Sequence, residues 1–165
     1  MNAASVKVPL AWAGLVVVLD QLSKLWVAAS FLTHESLPVI PGLFSLTFVT
    51  NTGAAFGILA GAQSVGRQIF FVGVALVALG VLYMAYREYR EQGTIYMVAI
   101  GLVGGGALGN LVDRLRLGHV IDFLDFYLRQ HHWPAFNVAD SAITIGVGLF
   151  LLAGFREQGK GKAEG

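Results

Sequence analysis

Hydrophobic residues in this chain gather into four long runs separated by polar breaks. The runs extend from about Val8 to Phe31, Ile69 to Tyr86, Thr94 to Leu111 and Val138 to Phe155. Each is close to the ~20 residues a helix needs to cross the hydrocarbon core of a bilayer. The pattern therefore predicts an all-α membrane protein with four transmembrane helices, both termini lying on one side. Between the first two runs the periodicity changes. In "LFSLTFVT" (Leu43 to Thr50), Leu and Phe partly alternate with Ser and Thr. A period of two marks a half-buried strand, so the outer segment of about residues 32–68 is expected to carry a small sheet lying against the bilayer surface. The "NTG" at Asn51 to Gly53 signals a turn. A second outer segment, about residues 112–137, separates runs three and four. No repeat or low-complexity block breaks the chain, and residues 1–165 read as one integral membrane domain.

Composition strengthens the membrane assignment. Charged residues make up 13% of the 165, about half the quarter usual in soluble domains, and the mean hydropathy is +0.68. A net charge of +1 with no basic stripe argues against nucleic acid as a partner. Cysteine is absent, which excludes disulfide scaffolding, thiol catalysis and thiolate metal sites. Six basic residues (Lys7, Arg87, Arg90, Arg156, Lys160, Lys162) belong to the side with the termini, and five (Lys24, Arg67, Arg114, Arg116, Arg129) lie within or beside the opposite face. That count is nearly a tie. The short polar loop "REYREQG" and the polar tail make the cytoplasm the better assignment for the termini. A cleaved signal peptide is a competing reading of the first run, but Asp20 and Lys24 would fall between its apolar core and the "VAAS" cleavage site, which is unusual.

The polar residues inside or beside the runs need explaining, since a charged group at the bilayer centre costs ~2.5–3.5 kcal/mol on insertion scales. In "LDQLSK", Asp20 and Lys24 are four apart and can pair on one helix face; alternatively Lys24 snorkels outward to an anionic head group. In "GNLVDR", Asn110, Asp113 and Arg114 close the third run. Asp113 and Arg114 are adjacent and cannot face each other on a helix. Each needs a partner elsewhere, and a hydrogen-bond network closing the helix end is the plainest reading. The third run also places Gly101, Gly105 and Gly109 four apart, a ridge that lets another helix approach closely. Helix packing explains it, and such packing would also position a site at the end of the ridge.

The third cluster lies in the stretch Gly118 to Gly146. Asp122 and Asp140 flank a loop that can fold back and bring them together at the mouth of the bundle. Asp140 at a helix start could instead serve as a cap. Asp125, three residues from Asp122, is an equal candidate by periodicity. Two close carboxylates cannot both ionise cheaply, so one proton is shared. One member can then take a proton from water while the other donates to a carbonyl oxygen. This chemistry requires no metal or cofactor. The rivals are weaker. Ser23 and Lys24 are adjacent and point apart, "GxSxG" is absent, and there is no "HExxH"; His131 and His132 read as wet loop residues. A small proton-coupled transporter is the alternative function, favoured by intramembrane ionisable groups and a Gly-rich helix. Against it, the carboxylates gather at one interface and no inverted repeat is visible. A purely structural subunit leaves five aspartates without a reason.

Taken in order, "LDQLSK", "NTGAAFG", "GGALGNLVDRL", "GHVIDF" and "FNVADSAI" resemble the signature set of the lipoprotein signal peptidase (signal peptidase II) family, aspartic peptidases of the bacterial inner membrane. The motifs span Leu19 to Ile143, without departure at the key positions. The resemblance implies four transmembrane helices with cytoplasmic termini, an extracytoplasmic sheet-like cradle, a short interfacial helix and an active site near the outer leaflet. The implied substrate is a prolipoprotein carrying diacylglyceryl on its lipobox cysteine, cut on the amino side of that cysteine. By the same resemblance Asp122 and Asp140 are the catalytic pair, and Asp125 is not carried over. Asp20, Lys24, Asn51, Asn110, Asp113, Arg114 and Asn137 are implied as substrate-binding or supporting residues, and the cyclic depsipeptide globomycin as an inhibitor.

Overall fold

The computed structural model describes residues 3–53, 61 and 64–163. In chain order the elements are α1 (Ala3–Ser30), β1 (Ser36–Ile40), β2 (Phe44–Asn51), α2 (Val65–Tyr89), α3 (Thr94–Leu117), β3 (Val120–Leu128), β4 (His131–His132) and α4 (Val138–Ala163). Each of the four helices holds a segment long and apolar enough to cross a membrane. The four strands form one antiparallel arrangement in the order β1-β2-β3-β4. It sits at the end of the bundle where α1 and α3 finish and α2 and α4 begin. No fifth helix corresponding to the expected interfacial one occurs among the described residues; residues 54–60 and 62–63, between β2 and α2, lie outside them.

Local chemistry sets the boundaries at this end. Gly118 takes the left-handed conformation (φ 76°) and its N–H closes on the Arg114 carbonyl at 3.1 Å. A side chain would be strained there, and the turn leaves only two residues, Gly118 and His119, between α3 and β3. The α2 start is capped by Ser64, whose side chain accepts from the Arg67 N–H. Asn137 does the same for α4, accepting from the Asp140 N–H at 2.9 Å.

Helix α3 is the centre of the bundle. Of its apolar window 67% is buried, against 6% for α2, whose outward Ile69, Val77 and Met84 are exposed as a lipid-facing surface requires. Between helices in lipid there is little hydrophobic driving force, so close van der Waals packing must hold them. The glycines provide it. A Cβ on Gly101 would lie 2.7 Å from the Pro9 carbonyl oxygen, one on Gly105 2.7 Å from that of Ala13, and one on Gly109 2.6 Å from Asp20 Oδ2. The predicted ridge is thus the α1 seam. A second face brings α4 equally close, with Gly106 of α3 against Ala139 and Ile143, and Gly146 of α4 against Ala99 and Val103.

The sheet carries an irregularity that the alternation in "LFSLTFVT" does not reveal. Leu46 pairs with Leu124 but Val49 pairs with Asp122, so β2 advances three residues where β3 advances two. This is a bulge. It moves Val49 and Asn51 onto the face that Asp122 and Leu124 share, whereas unbroken alternation would turn Asn51 away. Phe48 is left on the opposite face, packing with Val27, Ile121 and Phe123 beneath the sheet.

Because Gly105 meets backbone while Gly148 meets open space, Gly105→Ala should lower stability by about 1–3 kcal/mol and Gly148→Ala should not. Thermal unfolding in detergent measures both. Equal melting temperatures would show that the ridge is not a packing surface.

Candidate active site

Lys24 and Asp20 are one helical turn apart on α1, about 9–15 Å along the axis from the sheet end of that helix. They do not face lipid. Lys24 is 2% exposed and Asp20 0%. The Lys24 ammonium touches Asp20 Oδ2 at 2.8 Å, Asp113 Oδ2 at 2.8 Å and Asn110 Oδ1 at 2.9 Å. Three hydrogens meet three acceptors, so this amine is fully used, and the snorkelling alternative is overturned: the side chain turns inward to α3. The remaining oxygen of each carboxylate is also occupied. Asp20 Oδ1 accepts from the Ala139 N–H at the start of α4, at 2.9 Å, where the helix dipole favours negative charge. Asp113 Oδ1 accepts from Gln21 at 3.0 Å, and Asp113 Oδ2 also takes the Ile121 N–H of β3 at 3.3 Å. One buried cluster therefore ties α1, α3, α4 and the sheet together.

This cluster orients two amides. Lys24 has no acceptor to offer, so Asn110 must present its oxygen to the ammonium. Its Nδ2 then faces Asp140 Oδ1, at 2.8 Å. Asn137 is oriented likewise: its oxygen receives the Asp140 N–H, which sends Nδ2 to Asp122 Oδ1 at 2.7 Å and to Asn110 Oδ1 at 3.2 Å. Asn137, and not Asp140, is therefore the α4 cap, and the Asp140 carboxyl is left to the cavity side. Asn51, brought round by the bulge, donates to Asp122 Oδ2 at 3.0 Å while its own oxygen closes a turn on the Gly53 N–H at 2.9 Å. Each of the two aspartates thus receives amide hydrogen bonds, and the amides Asn137 and Asn110 join one to the other.

Asp122 and Asp140 line a single cavity of about 510 Å³ between β3, α4 and the segment Trp133–Phe136, with Asn51, Asn110 and Arg114 also on its wall. Arg114 does not pair with Asp113. Its guanidinium donates to the carbonyls of Gly53 (3.1 Å) and Asn110 (3.3 Å) and stacks over Phe71. The Asp122 carboxyl is pushed up from 3.8 to about 7, foremost by burial and then by the charge of Asp140. The hydrogen bonds from Asn51 and Asn137 and the Lys24 charge act in the opposite direction. Asp125 lies elsewhere. A strand sends residues three apart to opposite faces, and Asp125 contacts His132 instead of the cavity. Among the described residues no group of three or more His, Cys, Asp or Glu side chains has a metal-holding arrangement.

All nine site residues singled out from sequence fall in this connected region. Gln21 was missed. It donates to Asp113, Asp20 and the Gly109 carbonyl, and its place inside "LDQLSK" was the available signal. The backbone N–H groups of Ala139 and Ile121 gave no signal at all.

The chain is similar to known proteins over most of its length. The family profile described as signal peptidase (SPase) II matches residues 12–156. The lipoprotein signal peptidase of Syntrophus aciditrophicus is 50% identical over 151 residues, covering 92% of this chain and 93% of the relative. That of Syntrophotalea carbinolica is 49% identical over 157 residues, covering 95% and 96%. A bacterial membrane enzyme solved by the in meso method at 2.3 Å resolution superposes with a TM-score of 0.81 at 35% identity, over 91% of this chain and 88% of that one.

Lys24→Met would leave Asp20 and Asp113 buried without their cation. The expected loss is about 3–5 kcal/mol, read as a fall in thermal midpoint in detergent. An unchanged midpoint would show that the cluster does not hold the bundle together.

Proposed function

This chain belongs to the signal peptidase II family, and from that premise we propose that it is an aspartic endopeptidase acting on diacylglyceryl-modified prolipoproteins. It removes the signal peptide by cutting on the amino side of the lipidated cysteine, with Asp122 and Asp140 as the catalytic pair. The observation that carries this reading is the cavity lined by both aspartates and the chain of amides between them.

The chemistry rests on two carboxyls sharing one proton. The ionised member takes a proton from water as the water oxygen bonds to the scissile carbonyl carbon, and the protonated member gives its proton to the carbonyl oxygen. The tetrahedral species then collapses. Its C–N bond breaks, and a carboxyl returns a proton to the departing nitrogen. The signal peptide leaves with a new carboxyl end and the lipidated cysteine with a free amine. Asn51, Asn110 and Asn137 hold the pair in place, while the Lys24 cluster and Arg114 hold those amides and the neighbouring backbone. Such prior alignment spares reorganisation at the moment of reaction. The acyl chains of the substrate remain in the bilayer, which brings its peptide bond to the interface where the pair lies. In this reading the whole chain is one domain of the bacterial inner membrane, with cytoplasmic termini and the pair near the outer leaflet. Globomycin, a cyclic depsipeptide, would compete for the same cavity.

Asp122→Asn and Asp140→Asn should each lower cleavage of a diacylglyceryl-prolipoprotein by at least about a hundredfold, whereas Glu91→Gln, in the loop at the opposite end of the bundle, should cleave normally. Full activity in either aspartate variant overturns the assignment.

A second expectation concerns pH. With the Asp122 carboxyl near 7, the shared proton is lost as pH rises through that value, so kcat/KM should decline above about pH 7. The coupled pair sets the limb. Stability has the same sign: the folded state binds this proton more tightly, so the contribution of Asp122 is full below about 4 and gone above about 7. Asp122→Asn should then melt no earlier than the unaltered protein at pH 8, and a markedly lower melting point would contradict the raised value.

A further inference from the structure

Outside the cavity, Asp125 and His132 form a pair of chemistry-bearing side chains that the proposed reaction does not use. His132 Nδ1 lies 3.0 Å from both oxygens of Asp125. A carboxylate only accepts, so Nδ1 carries the hydrogen. The imidazole ring stacks on Tyr127, 4.7 Å between centroids and 14° between planes. The Tyr127 hydroxyl in turn accepts from the Gly42 N–H at 3.2 Å and from Ser45 Oγ at 3.4 Å. Asp125, nearly buried, thus anchors an imidazole that is itself 54% exposed.

This pair stands where the chain enters the cavity wall. Strand β4 is two residues long, and its only ladder pairs are Tyr127 with His132 and Leu128 with His131. A ladder that short is marginal in water, and the turn before it holds Arg129 at a positive φ of 57°, uncommon for a residue with a side chain. Yet β4 leads directly into the segment Trp133–Phe136, which forms a wall of the cavity. That wall is bound to β3 by the Trp133 N–H to the Phe126 carbonyl (2.7 Å) and by Phe136 to Leu124 in both directions (2.8 and 3.1 Å). It ends at Asn137, the residue that holds Asp122.

We propose that Asp125 and His132 are positioning residues for substrate, clamping the start of the wall so that Trp133–Phe136 meets the bound peptide in one arrangement. They touch neither the reacting atoms nor the attacking water. The inference rests on the peptidase reading and adds a residue pair that acts on substrate affinity alone. Substrate must select the ordered wall, so loosening its start lowers the competent fraction and weakens apparent binding in proportion.

The test is a comparison of kcat and KM for a diacylglyceryl-modified prolipoprotein peptide, using the full chain in detergent. Asp125→Ala and His132→Ala should each raise KM about fivefold, the effect of losing one hydrogen bond, with kcat and its basic limb unchanged. A rise in KM alone marks the loss of an interaction made equally in ground and transition states. The double variant should be no worse than either single one, because both remove the same contact. Asp125→Asn, whose amide oxygen still accepts from Nδ1, should restore most of the affinity. His132→Ala trims an exposed side chain and so keeps the fold. Unchanged KM, additive losses, a fall in kcat alone, or an Asp125→Asn as impaired as Asp125→Ala each overturn the proposal. Asp122→Asn, run alongside, separates the two questions: its full activity would sink the dyad, while normal KM in the clamp variants would sink only the clamp.

Discussion

Lys24 has three ammonium hydrogens and finds three acceptors, on Asp20, Asp113 and Asn110. Everything else in this end of the bundle depends on that match. An uncompensated charge at such depth would cost several kcal/mol, so the helices bearing the acceptors cannot drift from α1. With the amine saturated, the orientation of Asn110 has no freedom, and through Asn110 the orientation of the hydrogen bond to Asp140 is decided as well. The constraint spreads by the matching of donors to acceptors, not by bulk packing. Each polar atom is where it is because its neighbour is already engaged, and among the described residues no buried side-chain nitrogen or oxygen lacks a partner.

That cluster in turn needs the glycines. Asp20 Oδ2 occupies the space where a Gly109 side chain would be, so the cluster and the ridge are one device. Gly101 and Gly105 bring the α1 and α3 backbones together; Gly109 then leaves room for a carboxylate at the end of the same seam. Small residues and ionisable residues are the two features usually set apart in a membrane helix, one for packing and one for function. Here the packing admits the charge, and the charge locks the packing.

The sheet plays a complementary part. It supplies Asp122 from β3, Asn51 from β2 and a wall from the segment after β4, three groups separated by as many as 85 positions in the chain. The helices supply Asn110, Arg114 and Asp140 from the opposite side. On the helical side the elements are joined through buried ion pairs, while on the sheet side β4 is joined to β3 by a ladder of only two pairs. The helices hold the Lys24 cluster, and apolar lining comes from both sides, from Trp133–Phe136 and from Ile143 and Ile145 of α4.

Much of this was written in the linear order of residues. Four apolar runs determined four helices, because in lipid every backbone polar group must be satisfied within its own segment. The glycines four apart determined a close seam, and the motif order from "LDQLSK" to "FNVADSAI" picked out the residues that gather in one region. Four matters were decided only in three dimensions. Asp122 faces the cavity and Asp125 does not, because the stretch is a strand with a period of two, and hydropathy could not distinguish its period. Asn51 shares that face because a bulge in β2 shifts the register by one, and a bulge leaves no mark in an alternating pattern. Lys24 turns inward to α3, not outward to head groups, because Asn110 and Asp113 on that helix, 86 and 89 positions away, join Asp20 on its own helix in taking its three hydrogens. Asn137, and not Asp140, caps α4. In each case the deciding partner is set by the fold, and a sequence records which groups need partners but not which partners are within reach.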